Sequence, residues 1–256
     1  MHERNSAMKY KMKIGRLYSD ALNLYGDAGN AVCLAKRLEW RGIAAEVADI
    51  RMGDAIHEKE FDIFVISGGQ MPEQGFLFER IKATTGGQIR DIVESGQVLL
   101  AVCAGYQLLG NYYETIGGER YPGLGVMDLY TVEGNNRLTG NYSFSCLCGG
   151  HAMKMVGFEN HRGRTFLAPS ASPLGRVLSG HGNNGQDGTE GARVNNAFGT
   201  YAHGPVLANN CEFCDALADL ALSSKYAGVH LNDPCFPVLE DTIEKKANRE
   251  ACRRLK

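Results

Sequence analysis

The sequence predicts a mixed α/β protein with a central, mainly parallel sheet flanked by helices and with antiparallel strands in its second half. In the first half, apolar strand-like runs alternate with helical patterns, which is typical of a parallel sheet with right-handed crossovers. After Tyr112, strand-like pieces follow one another with glycine and asparagine turns and little helix between them. That pattern favours antiparallel pairing.

The first half supplies four strands and two helices. The helical patterns cover 30–42, which follows the glycine- and Asx-rich loop LNLYGDAGN, and 76–94. The strand predicted over 97–102 has no polar alternation after Gln97, as expected of a strand that is buried on both faces. The four predicted strands are 11–17, 43–50, 61–67 and 97–102.

The second half is predicted to be mostly strand, with helix returning near the end. A helix is expected over Cys211–Lys225, and the strongly charged segment Asp241–Lys256 is expected to be an exposed helix. No repeat or low-complexity linker divides the chain. We therefore expect one domain over 1–256, with its core over about 12–225 and a charged tail over 238–256. The strand-like pieces are 123–132, 142–150, 151–160, 176–180 and 192–204.

Composition narrows the function classes. The 256 residues carry a formal net charge of −2, with 44% hydrophobic and 22% charged residues. This balance argues against a nucleic-acid-binding protein and against disorder. No apolar run reaches the roughly 20 residues of a membrane span, and the first fifteen residues lack the apolar core of a signal peptide. A cytoplasmic location is expected.

The eight cysteines are expected to be reduced thiols, because the chain is long and shows no export signal. Cys211 and Cys214 have the spacing of half a zinc site, but no second CxxC completes it. Cys146 and Cys148 lie in a strand-like stretch. No metal site is predicted.

The stretch LLAVCAGYQLLG, residues 99–110, carries the best candidate nucleophile. A buried strand runs into Cys103, the small residues Ala104 and Gly105 follow, and a helical pattern begins at once. This is the arrangement of a nucleophile elbow, which places the sulfur at a helix N-terminus, where backbone N–H groups favour a thiolate. On pattern alone, a buried structural thiol fits Cys103 equally well.

A thiol nucleophile needs a base, and His203 is the best candidate among seven histidines. It lies in FGTYAHGP, after an apolar strand-like segment and before Gly-Pro, which places it at a strand end. A strand-end histidine can also be structural. The pairing with Cys103 favours the catalytic interpretation.

Together these segments resemble the class I, triad-type glutamine amidotransferases, which have a flavodoxin-like fold. LLAVCAGYQLLG is similar to the family's elbow, the Gly68-Gly69 pair to its oxyanion loop, and GTYAHGP to its histidine segment. More narrowly, NLYGDAGN, NNRLTGN, GFENHRGRT and GTYAHGPVLANN resemble the glutaminase subunits of lipid II isoglutaminyl synthases, in the cobyric-acid-synthase-like branch. The match runs from about residue 12 to about 210.

The resemblance implies hydrolysis of L-glutamine to glutamate and ammonia. It assigns Cys103 and His203 to catalysis, the N–H groups of Gly69 and Ala104 to the oxyanion hole, and Arg137 to the substrate α-carboxylate. The alternative to a substrate-binding role is that Arg137 is a solvent-exposed arginine in a turn, without a function. The polar segment 159–164 is interpreted as a structural or partner-facing turn, and 25–27 is a further candidate for the mouth of the site.

The resemblance also implies a partner. Ammonia would pass to a Mur-ligase-like, ATP-dependent subunit that converts the D-glutamate of the lipid II stem peptide to D-isoglutamine, in a heterodimer. No cofactor is expected in this chain, which has no GxxxxGK[ST] motif, so ATP and any metal are expected on the ligase.

Two positions depart from the family pattern. Ala101 stands where many members have glycine, and Pro205 stands where the usual class I enzyme has the glutamate that orients the histidine. The cobyric-acid-like branch commonly lacks that acid. The third member of the triad is therefore left unassigned, and either an internal carboxylate or one from the partner fits.

Other functions remain open on the sequence. The acceptor could belong to a corrinoid or another amide-forming synthase. A flavodoxin-like thiol sensor would keep Cys103 but have no use for Arg137, and a non-catalytic scaffold subunit would need neither.

Overall fold

The computed structural model describes residues 9–69 and 74–255, with only the backbone described for Gln74. The expectation that no export signal is present falls partly on residues 1–8, which lie outside this range. The described strands in chain order are β1 Lys11–Leu17, β2 Ala44–Ile50, β3 Ile63–Ile66, β4 Val98–Val102, β5 Tyr112–Glu114, β6 Arg120–Pro122, β7 Leu129–Cys148, β8 His151–Leu167, β9 Gly175–Ser179, β10 Thr189–Glu190, β11 Ala192–Val194 and β12 Ala197–Thr200.

Seven α-helices are described within these ranges. The second predicted helix, over 76–94, is wrong as a single element. It is two helices separated at Thr85, whose hydroxyl hydrogen-bonds the buried Tyr18 hydroxyl at 2.5 Å. The helices are α1 Gly29–Glu39, α2 Gln74–Thr84, α3 Gly86–Glu94, α4 Ala104–Leu109, α5 Val206–Asn209, α6 Cys211–Lys225 and α7 Thr242–Arg254.

The predicted parallel sheet is confirmed. Its strand order is β11-β12-β4-β3-β1-β2, and every neighbouring pair from β12 to β2 is parallel. All residues of β3, β4 and β12 are buried, as their unbroken apolar runs predict. Because the strands are parallel, the carboxyl ends of β1, β3, β4 and β12 meet at one edge of the sheet, where ligands bind in folds of this kind.

Most of the second half forms its own six-stranded sheet, which is antiparallel except for the parallel pair β5 and β7, while β11 and β12 join the first sheet. Its main feature is the pairing of two long strands, β7 and β8, with a register shift between Glu133 and Leu138. The turn expected over 159–164 is therefore wrong, because this segment belongs to β8. Arg137 lies within β7, at the register shift, where it has no pairing partner in β8. A bulge of this kind bends a strand and redirects its side chains.

The charged C-terminal segment is helical and exposed, as predicted, and α7 has no buried residue. It is nevertheless attached to the body of the protein. The buried Arg37 guanidinium on α1 pairs with Asp215 at 2.6 Å and with Asp241 at 2.7 Å, so one cation joins α1, α6 and the start of the tail. Asn248 adds a hydrogen bond to the Asn209 carbonyl at 3.1 Å.

Candidate active site

Cys103 lies directly after the central strand β4 in a backbone conformation that L-residues rarely adopt, with φ +51° and ψ −105°. Its backbone N–H donates to the Thr200 carbonyl at 2.8 Å, which joins the turn to β12. Gly105, two residues after Cys103, must be small, since a Cβ there would lie 2.9 Å from the carbonyl oxygen of Ile66. The predicted nucleophile elbow is therefore present.

His203 is brought to the same edge by β12. Its backbone forms a two-way bridge with Phe158 on β8, with N–O distances of 2.9 and 3.2 Å, so both sheets hold the histidine. The imidazole is fully buried. Its Nδ1 donates to the Asp27 carboxylate at 2.8 Å.

Asp27 is the carboxylate that sequence reasoning left unassigned. It is fully buried, and it comes from the loop between β1 and α1 rather than from position 205. Pro205 instead packs against the start of α1, so closely that a Cβ at Gly29 would lie 2.6 Å from its Cγ. The local signal for this role was weak: an Asx residue in a glycine-rich loop is also an ordinary turn residue.

The electrostatics of the pair favour a protonated histidine. Burial by itself lowers the pKa of His203, but the hydrogen bond to Asp27 and the interaction with Cys103 outweigh it and raise the pKa of His203 to about 10. Cys103, His203 and Asp27 are therefore candidates for nucleophile, general acid and orienting carboxylate.

Gly68 and Gly69 follow β3 and lie close to Cys103 and to the pair of His203 and Asp27. The Gly68 N–H donates to Asp27 at 3.3 Å, and a Cβ at Gly68 would lie 2.9 Å from Cε1 of His203 and 3.4 Å from Cβ of Cys103. A Cβ at Gly69 would lie 3.6 Å from Cβ of Ala104. The two predicted oxyanion residues are thus neighbours beside Cys103.

A cavity of about 190 Å³ opens onto Cys103. Arg137, predicted from its motif, lines it, and its Nη1 donates to Oδ1 of Asn160 at 3.1 Å. Tyr25 lines it as well and packs its ring edge-on against His203, with ring centroids 4.7 Å apart. The lining residues are Leu24, Tyr25, Gly69, Cys103, Gln107, Tyr113, Arg137, Asn160, His161, Arg162 and Gly163.

Sequence reasoning missed that His161 belongs to this cavity, because it interpreted 159–164 as a turn. A larger cavity of about 240 Å³ lies between β8, α6 and α7, lined by Met155, Cys211 and Lys245 among others. It contains neither Cys103 nor His203. The smaller cavity is therefore the candidate active site.

Comparison with solved structures defines the class of protein. The chain is similar to the structure of PurLQS from Thermotoga maritima, with a TM-score of 0.57, 14% identity, and coverage of 84% of this chain and 96% of that one. It is also similar to a crystal structure of a glutamine amidotransferase, with a TM-score of 0.52, 20% identity, and coverage of 81% and 98%. The fold is that of the glutamine amidotransferases.

Sequence comparison narrows the class to a family. The pattern of the CobB/CobQ-like glutamine amidotransferase domain matches residues 13–211. The chain belongs to this family. No helix among the described residues is long and apolar enough to cross a membrane.

Three relatives show the position within the family. The chain is 36% identical to the glutamine-hydrolysing lipid II isoglutaminyl synthase subunit GatD of Streptococcus pneumoniae, over 94% of this chain and 90% of that protein. It is 38% identical to subunit GatD of Staphylococcus aureus, over 84% and 86%. A probable cobyric acid synthase of Methanococcus maripaludis is 28% identical over 62% of this chain and 33% of that protein.

Proposed function

We propose that this chain is the glutaminase subunit of a lipid II isoglutaminyl synthase and that it hydrolyses L-glutamine through a Cys103 thioester. The observation that carries the chemistry is the positive-φ turn at Cys103. Cys103 lines the same cavity as Arg137, and the buried pair of His203 and Asp27 lies at the same edge of the sheet. The resemblance to two GatD subunits over most of the chain supports the biological assignment.

The first half-reaction releases ammonia. The Cys103 thiolate attacks the side-chain amide carbon of glutamine, and the carbonyl electrons move onto the oxygen. The tetrahedral intermediate collapses to a thioester as His203 gives its proton to the leaving nitrogen. The raised pKa of His203 means that this proton is present at neutral pH.

The second half-reaction regenerates the starting state. His203, now neutral, takes a proton from a water molecule that attacks the thioester carbon, and the tetrahedral intermediate collapses to glutamate, expelling the Cys103 thiolate beside the reprotonated His203. Asp27 acts through His203 as a positioning residue, because its hydrogen bond to Nδ1 directs Nε2 towards the chemistry.

Two backbone N–H groups, those of Gly69 and Ala104, would stabilise the oxyanion in both half-reactions. Their side-by-side placement next to Cys103 supports this role. Loss of one such donor typically costs ~10²–10³ in rate. Arg137 would bind the substrate α-carboxylate, since a guanidinium fork matches a carboxylate in shape and charge.

The partner in this proposal is a Mur-ligase-like subunit that supplies ATP binding and any metal. It would activate the D-glutamate of the lipid II stem peptide for attack by ammonia. The relatives' description as subunits of a synthase supports a partner. A cytoplasmic location follows from the partner's need for ATP.

The test is purification of the chain from its native cell with whatever binds it, followed by two assays. Glutamate release from glutamine and amidation of the lipid II stem peptide are measured for wild type and Cys103→Ala. We expect both activities in wild type and neither in the variant. Glutamate release that persists in Cys103→Ala would refute the mechanism, and amidation of a corrinoid instead would refute the acceptor.

A further inference from the structure

Two residues that line the cavity beside Cys103 each carry a buried polar atom with no hydrogen-bond partner among the described residues. The two atoms are the hydroxyl oxygen of Tyr113 and Nε2 of His161, and each residue is only 2% exposed. Buried polar groups are almost always paired in native proteins, so two orphans in the walls of one cavity point to a ligand that completes them.

The hydrogen bond on the other side of the ring decides what His161 offers. Its Nδ1 lies 2.8 Å from the carbonyl oxygen of Gly163. Since a carbonyl can only accept, Nδ1 carries the hydrogen. Burial lowers the pKa of His161 and keeps the ring neutral. Nε2 is therefore an acceptor, and its partner must be a donor.

The ring is held in place before any ligand arrives. His161 stacks on Tyr201 with centroids 3.6 Å apart and planes 10° apart. The Tyr201 hydroxyl receives a hydrogen bond from Gln107 at 2.9 Å and shares one with Thr165 at 2.6 Å. Because Gln107 belongs to the helix that begins after Cys103, the acceptor is set relative to the nucleophile.

The surroundings favour a positive donor. Oε2 of the buried Glu159 lies 3.9 Å from Nε2, which is too far for a hydrogen bond but near enough for its charge to act. Burial raises the pKa of Glu159, but the nearby His161 and the hydrogen bonds from His181 and Gly182 outweigh it and hold the pKa below its usual value. Two acceptors facing each other without a donor between them suit a cation with several N–H groups.

Nε2 of His161 lies in the same part of the molecule as Arg137, the candidate for binding the α-carboxylate of the substrate. In the pairing of β7 with β8, His161 lies opposite Leu138, the neighbour of Arg137. Arg137 itself hydrogen-bonds Asn160, the residue before His161, and both Arg137 and His161 line the cavity. The α-carboxylate and α-ammonium groups share one carbon, so the residues that bind them must lie in one part of the cavity.

We propose that His161 and Tyr113 form the subsite for the α-ammonium group of the substrate, an inference that rests on the proposed glutaminase function. The imidazole Nε2 accepts one N–H and the phenol oxygen of Tyr113 accepts a second. Glu159 contributes charge without contact. The subsite explains how the enzyme selects a free amino acid over other primary amides.

The test compares two substrates on the full complex: L-glutamine and glutaramate, which keeps the amide and the carboxylate but has hydrogen in place of the amino group. We expect wild type to prefer glutamine strongly. In His161→Leu and in the isosteric Tyr113→Phe, the ratio of kcat/KM for glutamine to that for glutaramate should fall about 10- to 100-fold. His161→Gln, whose amide oxygen can accept, should recover part of the preference.

Arg137→Lys is the matched control, because both substrates carry the carboxylate. It should lower kcat/KM for both and leave their ratio unchanged. Equal use of the two substrates by wild type, or an unchanged ratio in Tyr113→Phe, would overturn the subsite. Failure of wild type to release glutamate from glutamine would instead overturn the proposed function, so the two failures are distinguishable.

Discussion

The carboxylate of Asp27 lies 2.8 Å from Nδ1 of His203, although 176 positions separate the two residues in the chain. Both side chains are fully buried. In the usual class I enzyme a glutamate two residues after the histidine orients it, and this chain has Pro205 at that position. The orienting acid of this site therefore comes from a different element of the same chain.

Asp27→Asn should lower kcat for glutamate release by about 10²- to 10⁴-fold. The asparagine amide can present a donor to Nδ1, which selects the wrong tautomer and removes the negative charge that stabilises the imidazolium. Steady-state glutaminase kinetics would show this. Asp49→Asn, at an exposed ion pair with Arg16, is the control and should leave kcat unchanged. A carboxylate supplied by the partner in the complex would leave Asp27→Asn active.

The raised pKa of His203 makes a prediction about stability. Its folded value of about 10 exceeds the ordinary 6.5, so its contribution to the free energy of unfolding is fully present below pH 6.5 and is lost as the pH rises through about 10. Asp27→Asn removes the main partner. The stability difference between wild type and this variant should shrink between pH 6.5 and 10 in denaturant titrations. A difference that is constant over this range would contradict the ion pair.

The buried Glu190 should lower the stability of the protein at neutral pH, whereas the pair of His203 and Asp27 raises it. Burial raises the pKa of Glu190 to about 7, and hydrogen bonds from Thr200 and Tyr201 offset this effect only in part. The unfolded state loses the proton first, so this group lowers stability progressively from about pH 4.5 to 7. Glu190→Gln keeps an acceptor oxygen and should raise the free energy of unfolding at pH 8 by up to about 3 kcal/mol. At pH 4 the two proteins should be equal, and a variant that is less stable at pH 8 would refute this account.

Arg137→Ala should raise KM for glutamine more than it lowers kcat, with kcat/KM falling about 10- to 100-fold, because a charged hydrogen bond to the substrate is lost. The cavity-lining position of the guanidinium is the structural basis. Arg120→Ala removes an exposed arginine that is paired with Glu114, and it should leave both constants unchanged. An unaltered KM in Arg137→Ala would remove this residue from the substrate site.

Gly68→Ala should lower kcat by about 10²-fold, since its Cβ would lie 2.9 Å from Cε1 of His203 and displace the ring. Gly87→Ala in α3 is the matched control. A Cβ there meets nothing within 4 Å, so activity should be unchanged and stability slightly higher. Equal kcat values for Gly68→Ala and wild type would show that the ring has room to move.

Local sequence patterns predicted the parallel sheet well, because β3 and β4 are continuous apolar runs and strand-like segments alternate with helical ones around them. The helix α6 was predicted with its observed bounds, and the elbow at Cys103 and the strand-end His203 were both found from short motifs. By contrast, the glycine- and asparagine-rich segment around Arg137 predicted a turn. Pairing of β7 with β8 on both sides of the register shift between Glu133 and Leu138 holds this segment within one long strand.

The sequence by itself determined the fold class and the family and indicated the candidate nucleophile and base, since each depends on the order of residues within a few turns or strands. Only the tertiary structure decided which acid faces His203 and which orphaned acceptors line the cavity. Asp27 and His161 are remote from Cys103 in sequence, whereas Tyr113 lies on β5, the strand that follows α4. They meet because parallel strands align their carboxyl ends and because the second sheet packs over that edge, a geometry that no local pattern encodes.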